Sequence, residues 1–146
     1  MVAPLRPGAG EPAGRLRTVV KLRLAAEILS AYVRARRSLR RSGLAPTVVA
    51  LRPQHTDPAV SPEEQRLTAL RLARAVGRTL SPLPGDTRCL MRSLVLSTLL
   101  SRRGLQSTLV IGARAEPNFA AHAWVEMAGS PVLPDGGEMY GRLLEL

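Results

Sequence analysis

Cysteine is almost absent from this sequence, and its scarcity excludes two classes of small protein. The 146 residues include one cysteine, Cys89, which cannot form a disulfide within the chain. No group of Cys and His residues has the spacing of a structural zinc site. These absences exclude a disulfide-rich secreted domain and a zinc module. We expect the chain to reside in a reducing compartment, the cytoplasm, and to need no metal or other cofactor.

Long apolar runs are also missing. A membrane-spanning helix needs about 18 consecutive apolar residues, and no uncharged run approaches that length. Residues 1–14 contain Gly, Pro and Ala but no apolar core of a signal peptide, so they predict a flexible segment. We therefore expect neither a transmembrane segment nor export.

Aromatic residues are few, whereas positive charge is abundant and unevenly distributed. Residues 1–60 contain 11 basic and 3 acidic residues, and residues 61–146 contain 10 and 8. A basic half favours an acidic partner, such as an acidic peptide, nucleic acid or an anionic membrane surface. With 3% aromatic residues the chain lacks stacking platforms for single-stranded bases, and we expect no nucleic-acid partner.

The first third of the chain predicts a long helix over residues 16–41. Gly43 would be its C-cap, and residues 43–61 would form a proline-containing linker that packs the short segment 48–51. Arginines at the carboxyl end of the helix form either a solvated surface or a docking surface; they are Arg36, Arg37, Arg40 and Arg41. Apolar positions form two adjacent groups: Leu16, Val20, Leu24, Ile28 and Tyr32, and beside them Val19, Ala26, Leu29 and Val33.

Two further helices are marked by their ends. A capping box at residues 61–64 begins the first, which ends before Pro82. Asp86 is the expected N-cap of the next, which ends at Arg102-Arg103-Gly104. The buried stripe predicted for the helix after the capping box is Leu67, Leu70, Ala73 and Val76.

Three short apolar segments follow and predict strands over residues 108–113, 121–127 and 132–135. A turn at Gly129-Ser130 would join the last two. Helices followed by a small antiparallel sheet define an α+β fold.

Cys89 lies in the first turn of the third predicted helix, where unpaired backbone N–H groups carry partial positive charge. Such a position favours a thiolate, and Arg88 and Arg92 add positive charge if they face it. A lone cysteine is also a common small core residue. A nucleophile and a buried structural residue therefore both remain open.

His122 lies within a predicted strand whose alternation places it on one face with Trp124 and Glu126. Alanines on both sides, at positions 121 and 123, leave room for a group to approach the imidazole. A general base for Cys89 is one interpretation. The other is an imidazole that simply bonds to backbone or water.

Asp135 is the candidate carboxylate. If residues 129 and 130 are the central pair of a tight hairpin turn, Trp124 faces Asp135, which then shares a face with His122. A three-residue loop would move Asp135 to the other face. An aspartate before two glycines is also a common turn residue. If the register moves Asp135 away from His122, the candidate carboxylates in its place are Glu126 and Glu138.

Three segments together carry a family resemblance: CLMRSLVLSTLLSRRGLQSTLVIGAR at residues 89–114, FAAHAWVE at 119–126 and a G-x-P-V element at 129–132. The chain resembles the transglutaminase-like cysteine peptidases of lasso-peptide biosynthesis, most closely over about residues 85–137. The resemblance implies a transglutaminase-like, papain-like core with the cysteine at a helix N-terminus packed on a small antiparallel sheet.

The resemblance also implies roles for the site and a pathway. Cys89 would be the nucleophile, His122 the general base and acid, and Asp135 the residue that orients His122. The reaction would remove the leader peptide from a ribosomally made precursor, with a small separate leader-binding protein delivering it. An ATP-dependent cyclase would then close the ring, and the absence of a Gly-rich phosphate loop here agrees with ATP belonging to another protein.

The expected organisation is a flexible segment over residues 1–14 and a single domain over 15–146. Within it, residues 15–80 would be helical and suited to partner docking, and residues 81–146 would form the catalytic core. Two other functions remain: acyl transfer to an amine by the same three residues, and a non-catalytic basic binding module.

Overall fold

The computed structural model describes residues 12–51, 60–84, 88–133 and 140–146. Within these ranges four helices precede four antiparallel strands in the order β3-β2-β1-β4. The predicted α+β class is confirmed. The elements are α1 Pro12–Ser42, α2 Leu44–Leu51, α3 Pro62–Leu80, α4 Arg88–Ser101, β1 Thr108–Arg114, β2 Ala120–Met127, β3 Ser130–Pro131 and β4 Gly141–Glu145.

The long helix α1 ends as predicted. Gly43 has a φ of 78°, and its N–H donates to the carbonyl of Leu39 at 3.1 Å. That left-handed conformation suits glycine, which carries no Cβ to clash. An ion pair of 2.8 Å joins Glu27 of α1 to Arg103, just after α4, and the Arg103 guanidinium holds the pKa of Glu27 below its usual range.

The expected linker after Gly43 is helical in its first part. Residues 44–51 form α2, which packs Thr47 and Val48 into the core. Pro46 lies in the first turn, where backbone N–H groups have no partner within the helix, so the ring interrupts no hydrogen bond. Of the segment 48–51 predicted to pack, Val48 is buried but Val49 is 76% exposed, and the helical form of the segment was not predicted.

Helix α3 begins at the predicted capping box, in which Ser61 and Glu64 exchange side-chain and backbone hydrogen bonds. Its predicted buried stripe is right at two positions, Ala73 and Val76, whereas Leu67 is 47% exposed. The residues that α3 buries are Ala69, Leu72, Ala73, Val76 and Leu80.

The core is organised around α4. Every residue from Met91 to Leu100 is buried except Arg92. The helix packs against α1, α3, β1 and β2, so it connects the helical layer to the sheet. None of the helices in the described ranges is long and apolar enough to cross a membrane.

The sheet differs from the prediction at two places. Ala128 and Gly129, both with positive φ, are the central turn residues, so Met127 pairs with Ser130 rather than with Val132. The strand after the turn, β3, covers Ser130–Pro131, and Val132 and Leu133 of the predicted strand 132–135 are not part of it. Residues 134 and 135 lie outside the described residues. A further strand, β4, was not predicted; it pairs with β1 and carries a bulge opposite the step from Ile111 to Gly112.

Gly112 is needed because two groups approach it closely. A Cβ at this position would lie 2.9 Å from the carbonyl oxygen of Gly141 and 2.9 Å from the Trp124 ring. We expect Gly112→Ala to lower the free energy of unfolding by about 1–3 kcal/mol, since backbone and ring must move apart. Chemical denaturation measures this change.

Gly77 in α3 is the matched control. Nothing lies within 4 Å of a Cβ built there, and the residue is inside a helix. Gly77→Ala should raise the free energy of unfolding by about 0.5–1 kcal/mol. Equal effects of the two substitutions would contradict the close packing at Gly112.

Candidate active site

Cys89 is the second residue of α4, in the first turn as predicted. Its thiol is free and its side chain is partly exposed. A thiol in this place is accessible from solvent and faces the positive end of the helix dipole. The expected N-cap, Asp86, lies outside the described residues.

Ser93 attaches α4 to the strand that carries His122. Its hydroxyl donates to the carbonyl of Ala123 across 3.0 Å, and the bond is buried. The Val125 carbonyl accepts the backbone N–H of Val132 at 2.8 Å. Since carbonyls alternate along a strand, the Ala123 carbonyl points to the same edge of β2, just beyond the two residues of β3. Ser93 therefore donates to the Ala123 carbonyl, which lies beyond the part of β2 that β3 pairs with.

The Ser93–Ala123 bond joins α4 and β2 near the positions of both predicted reactive residues, Cys89 and His122. Cys89 precedes Ser93 by four residues, about one helical turn, and so lies on the same face of α4. His122 directly precedes Ala123 in β2. The helix and the strand are therefore joined one turn from the thiol and one residue from the imidazole.

The imidazole of His122 lies among aromatic rings. Its centroid is 6.0 Å from that of Trp124, nearly parallel to it, and 5.3 Å from that of Tyr140 at an angle of 34°. Trp124 is buried and His122 is partly exposed. The rings restrict the orientations available to the imidazole while leaving part of it accessible.

Glu126 holds the far end of this face. One carboxylate oxygen accepts the Trp124 indole N–H at 2.8 Å, and both oxygens accept the Arg142 guanidinium at 2.8 and 3.0 Å. The predicted shared face of His122, Trp124 and Glu126 is confirmed by these contacts. The Glu126 carboxylate, together with that of Glu145, holds the pKa of Arg142 above its usual range.

The third predicted residue, Asp135, lies outside the described residues, as does Glu138. Glu126, the other substitute, binds Trp124 and Arg142. Three residues of this face were not anticipated: Tyr140 beside His122, Arg142 on Glu126, and Arg114, whose guanidinium carbon lies 5.6 Å from the Tyr140 ring centre. Arg114 ends the segment 89–114, but no local pattern in that segment indicates these contacts, so the signal that would reveal them is the pairing of β4 with β1.

No cluster of three or more His, Cys, Asp or Glu side chains that could hold a metal ion occurs in the part of the chain that the structure describes. Cys89 carries a thiol at the N-terminus of α4, and His122 carries an imidazole on β2, the strand that α4 adjoins, beside an aromatic and ionic layer. That set is suited to nucleophilic and acid–base chemistry at an acyl carbon.

A family model described as the transglutaminase-like superfamily matches residues 29–145. The chain belongs to this superfamily. The match covers α4 with Cys89 and β2 with His122, and members of the transglutaminase-like superfamily are usually catalytic cysteine proteases or transferases. Comparison with curated proteins and with solved structures found no match.

The network around Glu126 gives a stability prediction. Glu126→Gln removes the charge that Arg142 binds and leaves one carbonyl oxygen for three donor nitrogens, in a site where the carboxylate is 9% exposed. We expect the free energy of unfolding to fall by about 1–3 kcal/mol. Denaturation followed by Trp124 fluorescence measures it.

Glu145→Gln is the matched control, because Glu145 also binds Arg142 but is 55% exposed. An exposed ion pair contributes little, so this variant should unfold close to the parent chain. A larger loss from Glu145→Gln than from Glu126→Gln would contradict the role given to the buried carboxylate.

Proposed function

We propose that this protein is a cysteine peptidase that removes the leader peptide from a lasso-peptide precursor in the cytoplasm. The observation that carries the proposal is the Ser93–Ala123 hydrogen bond, which fixes the helix of Cys89 beside the strand of His122 in a transglutaminase-like chain. The residues of segments 89–114 and 119–126 support the specific pathway by their resemblance to its leader peptidases.

In the proposed reaction His122 takes the thiol proton of Cys89, and the sulfur attacks the carbonyl carbon of the scissile peptide bond. The C–N bond breaks as His122 returns the proton to the leaving amine, which leaves a thioester on Cys89. A water deprotonated by His122 then hydrolyses the thioester and restores the thiol. The backbone N–H of Cys89 is the proposed oxyanion donor.

Asp135 is proposed to orient His122 by accepting its second ring N–H, as in other Cys-His-Asp sites. The rings of Trp124 and Tyr140 lie beside the imidazole and also restrict its orientation. The leader-binding protein would deliver the precursor, and the cyclase would consume the amino terminus that cleavage releases.

Cys89→Ala should abolish leader removal, because no other thiol exists in the chain. The readout is the intact mass of the precursor after incubation with this protein, with and without the leader-binding protein. Circular dichroism and thermal unfolding confirm that the variant folds. Unimpaired cleavage by folded Cys89→Ala would refute the proposal.

Ser93 is proposed as a positioning residue. Ser93→Ala leaves a buried carbonyl unsatisfied, which costs about 1–2 kcal/mol of stability, and loosens α4 against β2. We expect kcat to fall by about tenfold or more with little change in KM, since the thiol and imidazole lose their alignment.

Ser97→Ala is the control for Ser93→Ala. Ser97 lies one turn further along α4, where its hydroxyl is 3.4 Å from that of Ser107 and farther from Cys89. Its loss should leave kcat nearly unchanged. A similar fall in kcat for both variants would indicate a general structural effect instead of positioning.

Acyl transfer to an amine is the second candidate, since the superfamily includes transferases and the thioester on Cys89 would be common to both reactions. Product mass separates them. Hydrolysis adds the mass of one water to the two fragments, whereas transfer adds the mass of the amine.

A further inference from the structure

Helix α1 has apolar residues on two opposite faces, and the part of the chain that the structure describes covers one of them. The inner face packs into the core through residues such as Ile28, Ala31 and Ala35, which are at most 1% exposed. The outer face carries a second set, which we call the outer stripe. It consists of Val19, Leu22, Ala26, Leu29 and Val33, and the four larger side chains are 46%, 64%, 43% and 42% exposed.

The outer stripe has the spacing of a coiled coil. Its members are separated alternately by three and four residues, the heptad pattern of positions a and d. Val19 and Val33 occupy a positions, and Leu22 and Leu29 occupy d positions. Valine at a and leucine at d favour pairing of two helices. A surface helix that packs only against the core of its own chain carries polar residues on the face opposite that core.

The surroundings of the outer stripe are basic. Helix α1 contains nine Lys and Arg residues and one acidic residue, Glu27, which is bound to Arg103 at 2.8 Å. At the carboxyl end, a groove of about 430 Å³ is lined by three arginines and by Ser38, Ser42 and Leu51. The arginines are Arg34, Arg37 and Arg41.

The positive charge around the outer stripe determines which kind of partner fits it. A second copy of the chain would bring another basic helix against the stripe, and the two sets of arginines would repel. An anionic membrane would satisfy the arginines, but interfacial helices insert Trp, Phe and Leu, whereas the outer stripe has no aromatic residue and three of its five members are the smaller Val and Ala. A helix with apolar a and d positions and acidic flanks matches both the stripe and the arginines.

We propose that the outer stripe of α1 binds an acidic amphipathic helix of a partner protein, as a two-stranded coiled coil. Carboxylates of the partner would bind the arginines of the groove. The interaction does not depend on Cys89 chemistry, so its failure would leave the proposed peptidase function intact, and loss of peptidase activity would leave this surface intact.

The test is binding of a synthetic three-heptad peptide with Val at a, Leu at d and Glu at e and g to the full chain, measured by fluorescence anisotropy. We expect saturable binding that weakens with salt. Leu22→Ser with Leu29→Ser should weaken it by about tenfold or more, because both side chains lose their burial. Arg37→Glu with Arg41→Glu should weaken it as well.

The control changes two apolar residues elsewhere that are more exposed than Leu22 and Leu29, in the variant Val49→Ser with Leu143→Ser; they are 76% and 70% exposed in the parent chain. It should bind the peptide as the parent does. A second control peptide with Gln in place of Glu should bind more weakly.

Three results would overturn the proposal. Equal binding of the peptide by the parent and by the Leu22/Leu29 variant would remove the stripe from the interaction. Leucine-dependent binding to vesicles of phosphatidylcholine and phosphatidylglycerol, with none to the peptide, would indicate a lipid surface. Dimerisation that the same variant abolishes, seen by analytical ultracentrifugation, would indicate a second copy of the chain.

Discussion

The buried hydrogen bond from Ser93 to the carbonyl of Ala123 is the contact on which the rest of the site depends. Apolar packing alone would hold α4 against the sheet, but dispersion and burial are not directional, so they would leave its position along β2 loosely defined. A single directional bond fixes that position. Since Cys89 lies one turn before Ser93, the same bond also fixes the height of the thiol relative to β2.

The shortness of β3 makes this bond necessary. Pro131 has no N–H to donate, and β3 ends there, after two paired residues. The edge of β2 beyond Val125 would otherwise present an unsatisfied carbonyl in a buried place, which is costly. Ser93 supplies the missing donor from a helix rather than from a strand, so the sheet stays open on the side where α4 approaches.

The face of the sheet that carries Trp124 has a different construction. Trp124 lies against Gly112, Glu126 accepts from the Trp124 indole, and Arg142 completes the layer from β4. Because the indole is held at both its ring and its N–H, the His122 imidazole beside it has a rigid neighbour. Burial of a charged group is tolerated here since Glu126 is bound by three donor groups, two of them on the arginine.

Helix ends and strongly alternating strands could be predicted from the sequence because their signals are local. The capping box at Ser61, the glycine after α1 and the AHAWVEM alternation each depend on a few adjacent residues. Strand β4 could not be predicted in this way. All five of its residues are exposed, so GRLLE has no inward and outward alternation.

The turn between β2 and β3 shows a different limit. Two consecutive residues with positive φ match the twist of a hairpin, and Asn or Gly normally occupies both places. Here Ala128 takes the first place at a φ of 48°. Local preference points instead to Gly129-Ser130, and the tertiary pairing of Met127 with Ser130 outweighs it. Site residues that depend on β4, such as Tyr140, were missed for the same reason: long-range pairing leaves no local pattern.

The two apolar faces of α1 separate the proposed partner surface from the helix that carries Cys89. The inner face packs on α4 and thereby supports the helix that carries Cys89, while the outer face points away from it. Most of the positive charge of the helical half lies on the same helix as the outer stripe, and the ion pair of Glu27 with Arg103 uses the only acidic side chain there to bind α1 to the end of α4. A partner bound on the outer face would therefore contact α1, which supports the helix of Cys89, without covering the thiol.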